Sequence, residues 1–308
     1  MLGQDPRWAD DPRERSEDPR DRHARERHRD PRDVFLRELE LPRGYERERV
    51  FDAEREYTLR GSESRTLATV GAFRVVPGHD LRDRDDRSLD PRNSELRHLR
   101  EQGLVDTVLM DGRRDVAVFL TDRGHSLLEA HRRELDHDPR DQDPRDEDRR
   151  QEFYAGLVKP RELEHDAHVF QAYLHEVERL LEHDSRVEHV VLDYEIKREY
   201  QEWLHERDRG VPDADGRPDR TAEEISRWAL EHDLPYFDDH VRFPDLRIED
   251  LSLDGHHDHR DVEFTTVHYR GSHAAAVKRS GFSRYRGSSA RTGRGSRPSD
   301  PHLAEELL

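Results

Sequence analysis

Acidic residues in the second half of the chain have the types and spacing needed for metal-assisted chemistry on a phosphate. Pro244-Asp245 lies on one β-rich run, and Asp261-Val262-Glu263 lies on the next. An Asp at a strand end and an acid on the adjacent strand can hold one Mg²⁺, which activates water and stabilises the charge developing on the phosphate. Glu195 comes from an earlier helix and is suitably placed in chain order as a further acid. We therefore take Asp245, Asp261, Glu263 and Glu195 as candidate catalytic residues, and the first three also as candidate metal ligands.

These acids need strands to carry them and helices to cover those strands. Apolar residues spaced three and four apart predict an amphipathic helix over 160–183, and Val187–Leu192 has the composition of a buried strand. Thr221, with Glu224 three residues later, predicts the start of a helix. The remaining predicted elements are a strand over Val241–Glu249, a His-rich turn over Asp254–His259, a return strand over Asp261–Thr266 and a helix over His273–Ser280. This order is typical of an α+β domain.

Three short segments link this half of the chain, 151–286, to known proteins. They are Leu192-Asp193-Tyr194-Glu195, Phe243-Pro244-Asp245-Leu246-Arg247-Ile248-Glu249 and His268-Tyr269-Arg270-Gly271-Ser272-His273. On these segments the chain resembles the replication-relaxation proteins of mobile elements, and its acids resemble those of the PD-(D/E)-x-K nucleases. The resemblance implies a nuclease-like domain that would use Mg²⁺ if it were active.

The chain departs from the nuclease pattern at one position, because Glu263 stands where the catalytic Lys is expected. We therefore lean towards a protein that is not an enzyme and expect no cofactor, with Mg²⁺ reserved for an active nuclease. A nuclease-derived fold kept for binding or dimerisation, and ordinary hairpin carboxylates, are the alternatives. His165 and His168, three apart on the first predicted helix, are interpreted as a surface pair.

A second set of residues has the chemistry to contact DNA. Ser94, Arg97 and His98 share one side of a predicted helix, opposite Leu96 and Leu99. The guanidinium of Arg97 can pair with a guanine edge in the major groove. Arg113 and Arg114 follow a predicted hairpin turn, from which they could reach phosphates or the minor groove. The alternative is that all of these are solvated surface residues.

The elements around this set form a recognisable order. A helix is predicted over Glu63–Phe73, and a second from an Asp90 N-cap to Gly103. Two strands, Leu104–Met110 and Val116–Leu120, are joined through Asp111-Gly112, and Thr121 caps a last helix. Glu101-Gln102-Gly103-Leu104-Val105 and Leu120-Thr121-Asp122-Arg123-Gly124 resemble the wing boundaries of MarR-type regulators. The resemblance implies a winged helix-turn-helix that binds DNA, and such regulators usually pair to read two half-sites.

Composition limits how much of the chain can fold. Of the 308 residues, 31% are hydrophobic and 41% are charged. We expect a disordered Asp-Pro-Arg-rich arm over 1–50, although Val34–Leu39 could dock on the first domain. A winged helix over 57–135, a linker over 136–150, the nuclease-like domain over 151–286 and a disordered basic tail over 287–308 follow. The predicted fold class is thus α+β with disordered termini.

Charge and cysteine content indicate where the protein acts and what kind of partner it binds. The net charge is −18, but the charge is segregated: Arg270–Arg297 contains eight basic residues and no acidic one. Zero Cys, no apolar run of transmembrane length and no signal-peptide pattern predict a cytoplasmic protein without a membrane partner. The favoured interpretation is a DNA-binding, homodimeric protein of the transcriptional-regulator type. A metal-dependent nuclease or replication-relaxation factor, and a non-enzymatic adaptor that uses the winged helix for protein contacts, are the alternatives.

Overall fold

The computed structural model describes residues 30–53, 55–82, 95–110, 116–133, 150–156, 162–207, 220–265, 278–286 and 290–293. These residues form helices and mixed sheets, so the predicted α+β class is confirmed. None of the helices in this part of the chain is long and apolar enough to cross a membrane.

Residues 30–133 form the N-terminal unit. Its elements are a 3-10 helix (Pro31–Leu36), β1 (Glu48–Asp52), β2 (Arg55–Leu59), α1 (Gly61–Ala72), β3 (Val76–Pro77), α2 (Glu95–Glu101), β4 (Val105–Leu109), β5 (Val116–Leu120) and α3 (Asp122–Ala130). β1 and β2 form an antiparallel hairpin, and a second sheet has the order β3-β5-β4. The helices and the strand pair predicted between Glu63 and Glu129 are all present among the described residues.

Local sequence explains where the helices of this unit begin and end. Gly103 ends α2 with a positive φ of 71°, a conformation that glycine adopts without strain. The Thr121 side chain accepts a hydrogen bond from Gly124 N at 3.1 Å and so caps α3, as the sequence predicts. Gln102 ties α2 to β2, since its side-chain amide bonds both the N–H and the carbonyl of Thr58, at 2.7 and 3.0 Å.

Residues 30–50 correct the prediction of a disordered arm over 1–50. Phe35, Leu36, Leu39 and Leu41 are buried and belong to the main core. The predicted docking of the apolar patch at 34–39 is therefore confirmed. The charge-rich composition of this stretch conceals its few apolar side chains, which gain burial only because the rest of the protein supplies a surface for them.

Residues 162–293 form the C-terminal unit. Its elements are α4 (Leu163–Glu182), β6 (Arg186–Leu192), α5 (Asp193–Leu204), α6 (Ala222–Glu231), β7 (Tyr236–Phe237), β8 (His240–Val241), β9 (Leu246–Leu251), β10 (His257–Thr265), β11 (Ser283–Arg286) and β12 (Ala290–Gly293). The sheet has the order β12-β11-β10-β9-β6. β9 runs antiparallel to both of its neighbours, β6 and β10, and β11 runs parallel to β10.

Several predicted boundaries in this unit shift. The strand predicted over Val241–Glu249 divides into the short β8 and a separate β9. β10 begins at His257, so half of the predicted His-rich turn, residues 257–259, is strand. Residues 290–293 pair with β11, which corrects the prediction of a disordered tail for that stretch. These changes follow from strand pairing, which a single chain segment cannot reveal.

Helices cover both faces of this sheet. α4 packs on one face, where Phe170 and Val177 share a core with Ile248, Val262 and Phe264. On the other face Val191 packs with a smaller cluster that includes Ile196 and Trp228. Side chains alternate along a strand, so the residues of β9 and β10 at 247, 261 and 263 point away from α4.

One core joins the two units. Phe73, at the end of α1, contacts Phe170 and Tyr173 of α4 with ring centroids 4.9 Å apart in both cases. Residues 150–156 reinforce the junction. Tyr154 N donates to Gly71 O at 2.8 Å in the N-terminal unit, and the Gln151 side chain donates to Val190 O at 3.0 Å in the sheet. The units are therefore continuous in packing, although the predicted linker, apart from Arg150, lies outside the described residues.

Candidate functional site

The outer face of α2 carries two exposed arginines. Leu96 and Leu99 are fully buried and fix the orientation of the helix. Arg97 and Arg100 consequently face away from the core. The Arg97 side chain is 59% exposed and bonds Glu101 one turn later, at 2.7 Å. An exposed pair of this kind contributes only about 0.3–0.5 kcal/mol, so Arg97 can exchange it for another acceptor at little cost. Arg100 was not among the predicted contact residues.

His98 does not share that outward face. Its Nδ1 lies 2.9 Å from the Glu63 carboxylate, and its Nε2 lies 3.3 Å from the Thr58 hydroxyl. Glu63 itself is fully buried and also accepts bonds from Arg47 and from Arg60 N. His98 thus helps to satisfy a buried carboxylate that joins α1 to α2, and its predicted exposure to a DNA groove is wrong in this conformation. The other predicted contacts, Ser94, Arg113 and Arg114, lie outside the described residues.

On the C-terminal unit, the structure brings Asp245 and Glu263 together. Asp245 N donates to Val262 O at 2.9 Å, and Phe264 N donates to the Asp245 carboxylate at 2.7 Å. These two bonds hold Asp245 alongside the stretch of β10 that carries Glu263. The pairing of an acid before β9 with an acid on β10 is the arrangement that the sequence predicts for these two residues.

Glu263 is an unusual carboxyl group. It is only 7% exposed, and burial together with the nearby Asp245 raises its pKa to about 9. The ammonium group of Lys197 on α5 opposes this shift and so favours the ionised form. Lys197 in turn bonds Asp193 at 2.5 Å. The protonated form of Glu263 is therefore favoured to a higher pH than for an ordinary glutamate, although a lysine lies close enough to interact with it.

The other two predicted acids have different partners. Asp261 makes two bonds to Arg247, at 2.7 and 2.9 Å, and Arg247 also donates to the carbonyls of His232 and Asp233 just beyond α6. Asp261 thus orients an arginine that satisfies the end of a helix. Glu195 accepts a bond from Leu192 N at 2.9 Å, which caps the start of α5. Both carboxylates have structural roles in this arrangement.

The described residues consequently do not assemble the predicted ligand set of Asp245, Asp261 and Glu263. Nowhere in the described ranges does a group of three or more His, Cys, Asp or Glu side chains have the arrangement of a metal site. Asp261 is also a poor ligand, since both of its carboxylate oxygens already accept bonds from Arg247 and metal binding requires free donors. The residues present therefore do not fit Mg²⁺ in this conformation.

The structure adds residues around Asp245 that sequence reasoning missed. His165 Nε2 lies 3.4 Å from the Asp245 carboxylate, and the His168 ring stacks on Phe264 with centroids 4.4 Å apart. The interpretation of these histidines as a surface pair is wrong, because both face the sheet. Their spacing of three on the face of α4 that carries Val169 was the available signal.

A small cleft next to Asp245 is also lined by Arg74, His165, Asp166 and Asp193, and these charged groups shift one another's pKa values. Burial lowers the pKa of His165, but Asp245, Asp166 and Asp193 outweigh it and raise the pKa above its usual range. Burial raises the pKa of Asp166 to about 6, against the influence of Arg74 and His165. Arg74 comes from the N-terminal unit, 3.8 Å from Asp166, so both units contribute to the cleft.

Comparison with known proteins does not extend these observations. A scan against protein-family models found no match, and no curated protein or solved structure is significantly similar to the chain.

Proposed function

We propose that the chain is a DNA-binding protein of the transcriptional-regulator type. The observation that carries the proposal is the outward face of α2, which presents Arg97 and Arg100 directly before the antiparallel pair β4 and β5. A short helix packed by its leucines, followed by a two-stranded wing, is the way in which winged helices offer a helix to the major groove. The C-terminal unit then serves as a scaffold or assembly module.

Local charge supports this assignment despite the net charge of −18. Arg123, on the first turn of α3, is exposed and lies beside Gly103 at the end of α2. Arg97 and Arg100 therefore lie on the proposed contact helix, and Arg123 lies next to its C-terminal end. Phosphate contacts dominate the affinity of DNA-binding proteins and act locally, so these arginines matter more than the charge of distant segments.

The proposal predicts distinct effects for arginines in different positions. We expect Arg97→Ala to weaken binding to a preferred duplex by about 10-fold or more, with little change on random duplex, because a bidentate contact to guanine discriminates by about 1–3 kcal/mol. Arg113→Ala should weaken binding to all duplexes alike, because a wing residue contacts phosphate. Fluorescence anisotropy with duplexes selected from a random pool, at several salt concentrations, measures both effects.

The matched control is Arg49→Ala, which removes an exposed arginine from β1 whose side chain is 73% exposed. It should leave the affinity unchanged within about twofold, since a surface charge away from the interface contributes little. Equal losses on every duplex for Arg97→Ala and Arg113→Ala would contradict sequence readout. Absence of any salt-dependent DNA binding would favour the alternative of a non-enzymatic adaptor that uses the winged helix for protein contacts.

We further propose that the protein is a homodimer. Light scattering of the free protein and of its DNA complex measures the molar mass and tests this.

A nuclease is the second candidate, and the proximity of Asp245, Glu263 and Lys197 is the observation in its favour. Two observations oppose it. Asp261 is held by Arg247, and Glu263 stands where the PD-(D/E)-x-K pattern would put Lys. We therefore propose a nuclease-like scaffold that is not catalytic.

A plasmid assay separates the two candidates. We expect supercoiled DNA to be retarded but intact with purified protein in Mg²⁺ or Mn²⁺, with the same retardation in EDTA, because the acids do not form a ligand set. The Asp245→Ala and Glu263→Ala variants should behave in the same way. Metal-dependent nicking that disappears in both variants would show that the acid pair is catalytic and would overturn the scaffold proposal.

A further inference from the structure

A cavity of about 710 Å³ lies between the two units, away from both α2 and Asp245. The 3-10 helix and the N-terminal end of α1 form one wall. The opposite wall consists of the C-terminal end of α4, the start of β6 and the turn after β9. Pockets of about 300–1,000 Å³ at the junction of two packed units are typical of small-molecule sites.

The interior of the cavity is mainly apolar. Val34 and Leu36 line it from the 3-10 helix, Val177 and Leu181 from α4, and Leu251 from the end of β9. Leu253, at the rim, is 62% exposed, which is unusual for a leucine that lies next to a concave apolar surface. Burial of an apolar ligand body against these side chains would release water from both surfaces and would be favourable.

Several charged side chains at the rim of the cavity form ion pairs with one another or with nearby residues. Asp30 and Asp33 line the cavity, but Arg65 contacts both carboxylates, at 3.3 and 2.6 Å, and Arg32 also binds Asp30. Arg186 is paired with Glu188 at 3.2 Å. Asp184 contributes one further carboxylate to the lining.

Arg43 differs from these rim residues. Its guanidinium donates to the neutral carbonyl of Leu36 at 2.8 Å and forms no ion pair with any residue in the described ranges. Arg37 lies close by on the same wall and donates to Val187 O at 3.1 Å. This wall therefore offers positive charge beside an apolar interior.

We infer that this cavity binds a small organic anion with an apolar body, whose acidic group is held by Arg43 and whose body packs against Leu36, Val177 and Leu181. An arginine fork beside an apolar surface favours a carboxylate or sulfonate over a neutral ligand of the same shape. This site is independent of DNA binding and of the acids near Asp245.

The test uses two fluorescent probes of similar shape and the full chain. The anionic probe is 8-anilino-1-naphthalenesulfonate, and the neutral one is N-phenyl-1-naphthylamine. We expect saturable binding of the anionic probe at one site per chain, weakened about 10-fold in Arg43→Ala, because a charge-assisted hydrogen bond is lost. The neutral probe should bind more weakly than the anionic one and with the same affinity to both proteins.

Variants that fill or preserve the cavity make the result specific. Leu181→Trp should abolish saturable binding, whereas Leu230→Trp, at a residue that is 77% exposed on α6, should not. Arg43→Lys keeps the charge but not the planar guanidinium fork, so its affinity for the anionic probe should lie between those of the wild type and Arg43→Ala. Near-ultraviolet circular dichroism of each variant reports whether its tertiary packing is intact.

Three outcomes would overturn the inference. They are no saturable binding to the wild-type chain, equal affinity for both probes with no effect of Arg43→Ala, and undiminished binding in a folded Leu181→Trp variant.

Discussion

At the scale of single residues, the protein concentrates its unusual electrostatics on the sheet of the C-terminal unit. Burial and Asp245 keep Glu263 protonated, whereas Asp261, two residues earlier on the same strand, is ionically bound to Arg247. Both side chains point away from α4, yet one meets an arginine and the other an aspartate. Neighbouring charges, rather than residue type, therefore determine whether each carboxyl group is protonated or ion-paired.

Glu263 makes the stability of the folded protein depend on pH in a predictable direction. Its pKa is about 9 in the folded chain against 4.5 as the reference, so the folded state binds more protons between these values and stability falls as pH rises through that window. Glu263→Gln mimics the protonated group and should be more stable than the wild type by on the order of 3 kcal/mol at pH 8, with little difference at pH 4.5. Urea unfolding at the two pH values measures the change.

The matched control is Glu178→Gln on α4, where the side chain is 74% exposed. It should alter stability by less than about 0.5 kcal/mol at either pH. If Glu263→Gln were less stable than the wild type at pH 8, the ionised form of Glu263 would be the one that the fold stabilises.

At the scale of elements, the position of α3 depends on a single glycine. Gly124 lies in the first turn of α3, against the carbonyl of Leu104, so the helix end and the start of β4 approach closely. A Cβ at this position would lie 2.1 Å from Leu104 O and 2.6 Å from a Leu120 methyl group. The Leu-Thr-x-x-Gly segment therefore has two physical functions: the Thr caps the helix and the Gly permits the contact.

We expect Gly124→Ala to destabilise the protein by about 3 kcal/mol, because backbone must move to accept the methyl group. Thermal unfolding followed by circular dichroism measures this loss. Gly44→Ala is the control, since the atom nearest to its added Cβ is a Glu48 carboxylate oxygen at 3.5 Å. A Gly124→Ala variant as stable as the control would show that α3 can shift away from Leu104 at little cost.

At the scale of the whole molecule, the two units form one cooperative structure. Phe35 and Phe73 from the N-terminal unit and Phe170 and Tyr173 from α4 make a single aromatic cluster, with Phe73 in contact with the other three. A core shared across the junction couples the stability of both units.

Phe73→Ala should therefore destabilise both units together, by about 3–5 kcal/mol, although Phe73 belongs to the N-terminal unit. In a Trp8→Phe background, tryptophan fluorescence reports Trp203 and Trp228 of the C-terminal unit. We expect its urea transition to coincide with that of far-ultraviolet circular dichroism and both midpoints to fall equally. Leu109→Ala, at an exposed position, is the control. Two separated transitions would show that the units unfold independently.

Most of the helices and strands could be predicted from the sequence alone, because their signals are local. The Thr121 and Thr221 caps, the glycine after α2 and the apolar periodicity of α4 each depend on neighbours within about one or two helical turns. The α+β class and the proximity of Asp245 to Glu263 followed from the order of these elements. The exposure of Arg97 was also predicted, from its spacing relative to Leu96 and Leu99.

The partners of individual charged side chains depend on tertiary packing and could not be predicted from the sequence. His98 turns to a glutamate 35 positions earlier, Asp261 to an arginine on the neighbouring strand, and His165 to an aspartate 80 positions later. The folding of 30–50 and the shared aromatic core likewise depend on surfaces supplied by distant segments. Electrostatic pairing and burial act through space, so in a chain that is 41% charged the sequence offers many equivalent partners and the packed fold selects among them.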